Sequence, residues 1–230
     1  YKKYKDVKTK IFKNQTEDDI AILNLENEEV LNQTKDIKSK KLYFSSKKKA
    51  DCYLKDDIIY YNDEKVLDTN KMIIVGNHNK ENVMASIMVA KEFNVSNDTI
   101  RKVAYNFKGV EHRLEFSGEV DGVKYYNDTE ATNIKCTQIA LSSFNNPTII
   151  ILGGLERGQD FNELTPYMKN VKAVLAIGEC RKRVEDYAKS LKIPVYTHEF
   201  LKDAMKEIEG IKKSGDVVLL SPASASWDQY

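Results

Sequence analysis

From residue 133 to residue 220, short apolar runs alternate with longer amphipathic stretches in a rhythm that leaves few folds open. The stretches read as helices from about 133 to 143, near 161–168, over 181–190 and over 201–211. The runs between and after them, 148–152, 173–177, 195–197 and 216–220, read as strands. Strands alternating with helices in this way predict a parallel sheet with covering helices. The loops leaving those strands then gather along one edge, where open α/β sheets bind ligands. Just ahead, RLEFSGEVDGVKYYND (113–128) reads as a hairpin around Asp121-Gly122, a strong turn signal.

The earlier part of the chain has a different rhythm. Residues 1–13 read as a helix, with Tyr4, Val7, Ile11 and Phe12 at helical spacing. DIAILNLEN (19–27) and KLYFSS (41–46) read as strands, and 51–68 as a hairpin around Tyr61-Asn62-Asp63. MIIVGNHN (72–79) reads as a strand ending in a loop. An amphipathic helix follows over 79–93, capped by Asn79, with Val83, Ile87 and Ala90 on one face. A second helix spans 96–107, capped by Ser96 or Asn97. The character changes at Lys108-Gly109, so two domains are expected, 1–107 and 108–230. The fold class is α/β.

Composition narrows the partners. A net charge of +1 gives no bulk attraction to nucleic acid or an anionic membrane. No apolar run approaches the roughly 20 residues needed to cross a bilayer. No basic, then apolar, then small-residue leader opens the chain, so a cytoplasmic protein is expected. Three widely spaced cysteines, Cys52, Cys136 and Cys180, fit neither a disulfide scaffold nor a zinc site. The chain starts without Met in a charged helical stretch and stops just after a strand and loop. Both ends are expected to be cut from something longer.

Four segments carry the chemistry, with GNHNKEN (76–82) before them. In the latter, Asn79 and Asn82 share a helix face, and their amides suit a purine edge. An N-cap plus a surface asparagine is the plainer account of them from spacing alone. FKGVEHR (107–113) offers Arg113, a planar fork for phosphate or half of a linker ion pair. YYNDTEATN (125–133) places Asp128 at a strand end, where a carboxylate can accept from a ribose hydroxyl. Thr132 and the helix start can hold an anion, or both residues can simply cap the helix. IILGGLERGQDF (150–161) lacks both GxxxxGK[ST] and GxGxxG, but its Gly153-Gly154 turn presents Arg157 at a strand end. LLSPASASWDQY (219–230) gives Ser221, Ser224 and Ser226 after a buried strand, with no His–acid pair nearby for a serine nucleophile. Trp227 reads as core or pocket wall, and Lys8 as an ordinary helix lysine.

Taken together, HNxxN, the HR dipeptide, NDTEATN, GGLERGQDF and LLSPASASWDQY resemble the amide-forming Mur ligases, in the family's order, and most closely the branch that adds D-glutamate. The resemblance covers nearly the whole chain. It implies a partial central ATPase-type α/β domain followed by a Rossmann-like C-terminal domain with a mostly parallel sheet. It implies ATP and Mg2+ as cofactors, UDP-MurNAc-L-alanine and D-glutamate as substrates, and a monomer. Asn79 and Asn82 match nucleotide contacts, and Arg113 and Asp128 match phosphate and ribose contacts. Thr132, Arg157 and Ser226 match positions around D-glutamate, with Trp227 lining that pocket. Lys8 matches a lysine whose carbamate holds a magnesium ion. Glu130 departs from the pattern, since the family commonly has Lys there, and no substrate contact is carried over to it. The chain alone is expected to be inactive, because nothing in it can hold the β- and γ-phosphates. Another Mur ligase, or a non-catalytic nucleotide- or amino-acid-binding module, is the alternative.

Overall fold

A computed structural model describes residues 2–225. The chain forms two compact units, one running to Met72 and including Asn77–Phe107, the other made of Ile73–Gly76 and the chain from Lys108 onward.

The first unit comprises α1 (Lys2–Thr9), β1 (Ile20–Asn24), α2 (Glu28–Gln33), β2 (Lys40–Ser45), β3 (Cys52–Lys55), β4 (Ile58–Tyr61), β5 (Glu64–Asp68), α3 (Asn77–Glu92) and α4 (Asn97–Asn106). Its strands pair in the order β1-β2-β3-β4-β5. The first three run parallel, and the last three form an antiparallel meander. The stretch 51–68 is therefore three strands, not a hairpin. Its first turn, Asp56-Asp57, has φ of 50° and 59°, and its second, Asn62-Asp63, 48° and 64°. Asp and Asn tolerate the left-handed region that two-residue hairpin turns demand, and Asp-Asp is a quieter turn signal than Asp-Gly.

Two further expectations change. The run 72–79 makes no strand. Met72 is buried and Val75 packs on the core of the second unit, so its apolar residues are used without sheet pairing. α3 starts at Asn77, which places Asn79 inside the helix rather than at its cap. Its buried face is Met84, Ile87 and Met88. Within the expected helix 1–13, the described residues form α1 (Lys2–Thr9) and then a 3-10 turn (Lys10–Phe12), and Tyr4, Val7 and Ile11 are exposed. Ser96 caps α4 by accepting from the Thr99 N–H.

The second unit comprises β6 (Glu115–Val120), β7 (Val123–Asn127), α5 (Ile134–Leu141), β8 (Thr148–Gly153), β9 (Val171–Ile177), α6 (Arg181–Ser190), β10 (Val195–Thr197), α7 (Leu201–Ile211) and β11 (Val217–Leu220). Its sheet has the order β10-β9-β8-β11-β7-β6, parallel except for β6. This is the expected parallel sheet, with β6 and β7 joined at Asp121-Gly122 (φ 54° and 75°). The link between β8 and β9 is a 3-10 helix, Phe161–Asn170, with Pro166 inside. Proline donates no backbone hydrogen bond, which disfavours a regular α-helix there.

Every residue of β8 is buried. Ile150 and Leu152 face a core with Ile134, Leu164, Val184 and Ala188; Ile149 and Ile151 face a second core with Ala204 and Ile208. The two sets alternate with the pleat, so α5, the 3-10 helix and α6 cover one face and α7 covers the other. β11 slots between β8 and β7, which brings the ends of β7, β11, β8 and β9 side by side.

Leu152→Ala is expected to cost about 3 kcal/mol, because it opens a cavity in a strand buried on both faces. Val120→Ala on exposed edge strand β6 is expected to stay within about 0.5 kcal/mol. Urea unfolding followed by circular dichroism measures both.

Candidate functional site

The C-terminal ends of β7, β11, β8 and β9 deliver Asp128, Ser221, Gly153-Gly154 and Gly178 into adjacent loops. Arg113, Asp128, Glu130, Thr132 and Arg157 all belong to this unit. Lys8, Asn79 and Asn82 belong to the other. Ser226 and Trp227 lie outside the described residues.

Asp128 is only 7% exposed and ties three segments together. One carboxylate oxygen accepts from the Leu114 N–H at 3.0 Å, the other from the Ser221 hydroxyl at 2.7 Å. Ser221 also bonds Thr137 of α5 at 3.0 Å. Burial pushes the Asp128 carboxyl above its ordinary range, while the Ser221 hydroxyl, the Leu114 N–H and the Arg113 charge pull it back. A raised carboxyl means that the fold prefers the protonated form. That contribution to stability is full below the unfolded-state value and is lost as pH rises through the folded one. The ionised form is therefore held at a cost. α5 is capped by Asn133, whose side chain accepts from the Cys136 N–H. Neither Asp128 nor Thr132 serves as the cap.

Arg113 sits in a strained loop. His112 and Leu114 on either side of it have φ of 63° and 47°. The left-handed region costs a bulky residue about 1 kcal/mol or more. Leu114 is held there by its bond to Asp128, and His112 by its N–H to Glu115 (2.9 Å) and its ring to Asn127 (3.0 Å). The Arg113 guanidinium stands 3.7 Å from the Glu130 carboxylate, and both side chains are more than half exposed. Such a pair is weak and easily displaced by an anion. Glu130, the departure from the family pattern, thus lies against a cation.

Gly153 and Gly154 have φ of 115° and 149°. A Cβ on Gly153 would stand 2.1 Å from the Ile177 carbonyl oxygen, and one on Gly154 2.4 Å from that of Ala225. The end of β8 is thereby pressed against the end of β9 and the loop after β11. The next residues form a tight polar turn carrying exposed Arg157. The Arg157 N–H donates to the Gln159 side chain at 3.0 Å, whose amide donates to Ser224. Ser221 and Ser224 are buried and engaged, so they shape the loop rather than line an open surface. Sequence reasoning missed Gln159, Glu156 and Arg183, which hold this turn. No local signal marks them, because Arg183 arrives from α6.

In the first unit, Asn79 and Asn82 lie one turn apart on α3, with side chains 3.5 Å apart. Burial lowers the pKa of neighbouring His78, against a smaller opposing effect of Glu81. Lys8 is exposed, its ammonium 5.4 Å from the Tyr4 ring. Among the described residues, no group of three or more His, Cys, Asp or Glu could hold a metal ion. Lys8 and its surroundings therefore do not by themselves fit a magnesium ion.

Comparisons with known proteins bear on this arrangement. The family description "Mur ligase middle domain" matches residues 1–90, and "Mur ligase, glutamate ligase domain" matches residues 112–224. The UDP-N-acetylmuramoylalanine–D-glutamate ligase of Staphylococcus carnosus (strain TM300) is 42% identical over 228 residues, 99% of this chain and 51% of that protein. The ligase of the same name from Bacillus pumilus (strain SAFR-032) is 40% identical over 230 residues, again 99% of this chain and 51% of that protein. The chain spans about half the length of the curated relatives it matches. Among solved structures, a MurF ligase from Thermotoga maritima in complex with ADP superposes with a TM-score of 0.69 at 20% identity, covering 95% of this chain and 53% of that one. The UDP-N-acetylmuramate–alanine ligase of the same organism gives 0.68 at 17%, covering 96% and 51%. At these identities the likeness concerns the fold.

Asp128→Asn is expected to unfold no earlier than the wild type at pH 7 to 8, because the amide removes a buried charge, its oxygen still accepts from the Leu114 N–H, and its NH2 donates to the Ser221 hydroxyl, which turns to donate to Thr137. Any advantage shrinks as pH falls toward the ordinary carboxylate range, where the wild-type group takes up its proton. Thermal unfolding across that pH series reads the difference.

Proposed function

Since the chain belongs to the Mur ligase family, we propose that it carries the nucleotide- and amino-acid-binding parts of an ATP-dependent ligase that adds D-glutamate to UDP-MurNAc-L-alanine in peptidoglycan synthesis. One observation carries the reading: a single sheet edge presents two arginines, a buried carboxylate and a threonine, in a chain 40–42% identical to D-glutamate ligases along almost its whole length.

In this reading the γ-phosphoryl group of ATP passes to the carboxylate of UDP-MurNAc-L-alanine, releasing ADP. The D-glutamate amine attacks the acyl phosphate, a tetrahedral intermediate forms, a proton leaves the amine, and phosphate departs. The protein's part is positioning and neutralising charge. Arg113 meets phosphate oxygens, and its weak pairing with Glu130 is exchanged for them. Asp128 accepts from a ribose hydroxyl while keeping its bonds to Leu114 and Ser221. Asn79 and Asn82 read the purine. Arg157 and Thr132, with Ser226 and Trp227, surround D-glutamate. Lys8, as a carbamate, would supply one magnesium contact and not a complete site, and no step is derived through that ion. No helix among the described residues is long and apolar enough to cross a membrane. We place the ligase in the cytoplasm as a monomer, with no nucleic-acid partner.

The test is phosphate release from ATP with both substrates present. In the complete ligase carrying this chain, Arg157→Ala is expected to raise the KM for D-glutamate about a hundredfold, with a much smaller effect on ATP. Arg113→Ala is expected to lower kcat/KM for ATP by a similar factor. The chain alone is expected to show no turnover, because its sequence contains no GxxxxGK[ST] loop to hold the β- and γ-phosphates. Robust amide formation by these residues alone would contradict the reading.

A further inference from the structure

Arg183 lies in the first turn of α6 and closes over the loop that leaves β8. Its Nη1 donates to Glu156 Oε1 at 2.5 Å, and its Nη2 to the Gln159 carbonyl oxygen at 2.6 Å. Its guanidinium carbon stands 5.5 Å from the centroid of the Phe161 ring. The two acceptors flank Arg157 and Gly158, so one planar group spans the turn that carries Arg157. The same Glu156 oxygen accepts from the Gly158 N–H at 2.7 Å, and the Glu156 N–H donates to Glu179 at 2.9 Å. Gly158 (φ 71°) would meet no atom within 4 Å if it carried a Cβ. Its left-handed backbone is therefore set by the turn and not by crowding.

A single half-exposed ion pair would contribute little. Here two hydrogen bonds and a ring contact converge on one rigid fork, the geometry at which arginine differs most from lysine. The consequence falls on Glu156. It is the sequence neighbour of Arg157, and a carboxylate on a glycine-containing loop would compete with any acidic ligand for that cation. Arg183 and the Gly158 N–H both hold it.

We propose that Arg183 is a positioning residue for amino-acid recognition. It fixes the turn that presents Arg157 and keeps the Glu156 carboxylate engaged, so that Arg157 meets the carboxylate of an incoming acidic amino acid rather than that of its neighbour. This rests on the reading of Arg157 as a D-glutamate contact.

The experiment is steady-state kinetics of the complete ligase carrying this chain, with hydrogen exchange of the 155–160 loop in each variant. Arg183→Ala is expected to raise the KM for D-glutamate about tenfold, with kcat and the KM for ATP within about twofold, and to speed exchange in the loop. Adding Glu156→Gln is expected to return the KM to within about threefold of wild type, since the released competitor is then neutral. Arg183→Lys keeps the charge and one hydrogen bond, and is expected to fall in between; it also serves if Arg183→Ala does not fold. An unchanged D-glutamate KM in Arg183→Ala or Arg183→Lys overturns the proposal. So does a rise that Glu156→Gln leaves untouched, or a parallel loss of kcat and both KM values. Arg157→Ala separates the two ideas. If it leaves the D-glutamate KM unchanged, the site reading itself fails. If it raises that KM while Arg183→Ala does not, only the brace fails.

Discussion

The buried carboxylate of Asp128 is the interaction on which the C-terminal edge of the second unit's sheet depends. It receives the N–H of Leu114, which stabilises the left-handed turn beside Arg113, and the hydroxyl of Ser221, which starts the loop after β11. Through Ser221 it reaches Thr137 and the first turns of α5. One side chain thus sets the relative position of three loops that contribute to the same edge. Hydrogen bonds to an ionised group contribute roughly 1.5–3 kcal/mol each, against less than about 1 kcal/mol for exposed pairs such as Arg113–Glu130. The rigid framework is therefore the Asp128 knot, and the exposed charges are the exchangeable part.

The far side of the edge is built by a different device. There the close approach comes from glycine, with Gly153 and Gly154 bringing the backbone of β8 against the carbonyls of Ile177 and Ala225. No side chain could occupy that space. The polar turn that follows has little apolar area of its own to hold it, and Arg183 supplies from α6 what the loop lacks. A buried carboxylate on one side and a half-exposed guanidinium on the other perform the same task of fixing a loop. The second does so without the desolvation cost that raises the Asp128 pKa.

Much of the second unit was legible because its signals are local. The run TIIILG is apolar on both pleat faces, as a central parallel strand must be, and Asp121-Gly122 is one of the strongest hairpin turns available. The first unit was harder to read. The run at 72–75 has a strand's composition, but its residues pack singly instead of pairing. The meander from Cys52 to Asp68 hides a turn made of two aspartates. Of the candidate site, Asp128, Arg113 and Arg157 stood out because each follows or adjoins a strand end. The groups that hold them did not. Ser221 read only as one of three hydroxyls after a buried strand, and is fully buried. Arg183 lies in the helix read over 181–190 and carries no local signal of its own. Their partners lie 93 and 27 residues away, a separation that no local periodicity encodes.

Departures from ordinary backbone and burial rules also fall in particular places. Outside the two-residue hairpin turns, the left-handed non-glycine residues of the second unit among the described residues are His112, Leu114 and Ala223, in loops at the C-terminal edge of its sheet, and Lys192, which closes α6 ahead of β10 at the opposite end. The buried acid with a raised pKa lies at the same edge, as do Gly153 and Gly154, whose Cβ atoms would run into backbone carbonyls. At the opposite end the buried acid is Asp216, which meets Lys172 at 2.5 Å and receives the Lys213 N–H, a fully partnered structural arrangement. One end of the sheet thus holds its buried acid in a closed ion pair, while the other combines strained loops with the more exposed pairs Arg113–Glu130 and Arg183–Glu156. A fold under selection for stability alone tends to relax such strain, and at the C-terminal edge strained loops coincide with an acid buried at a cost.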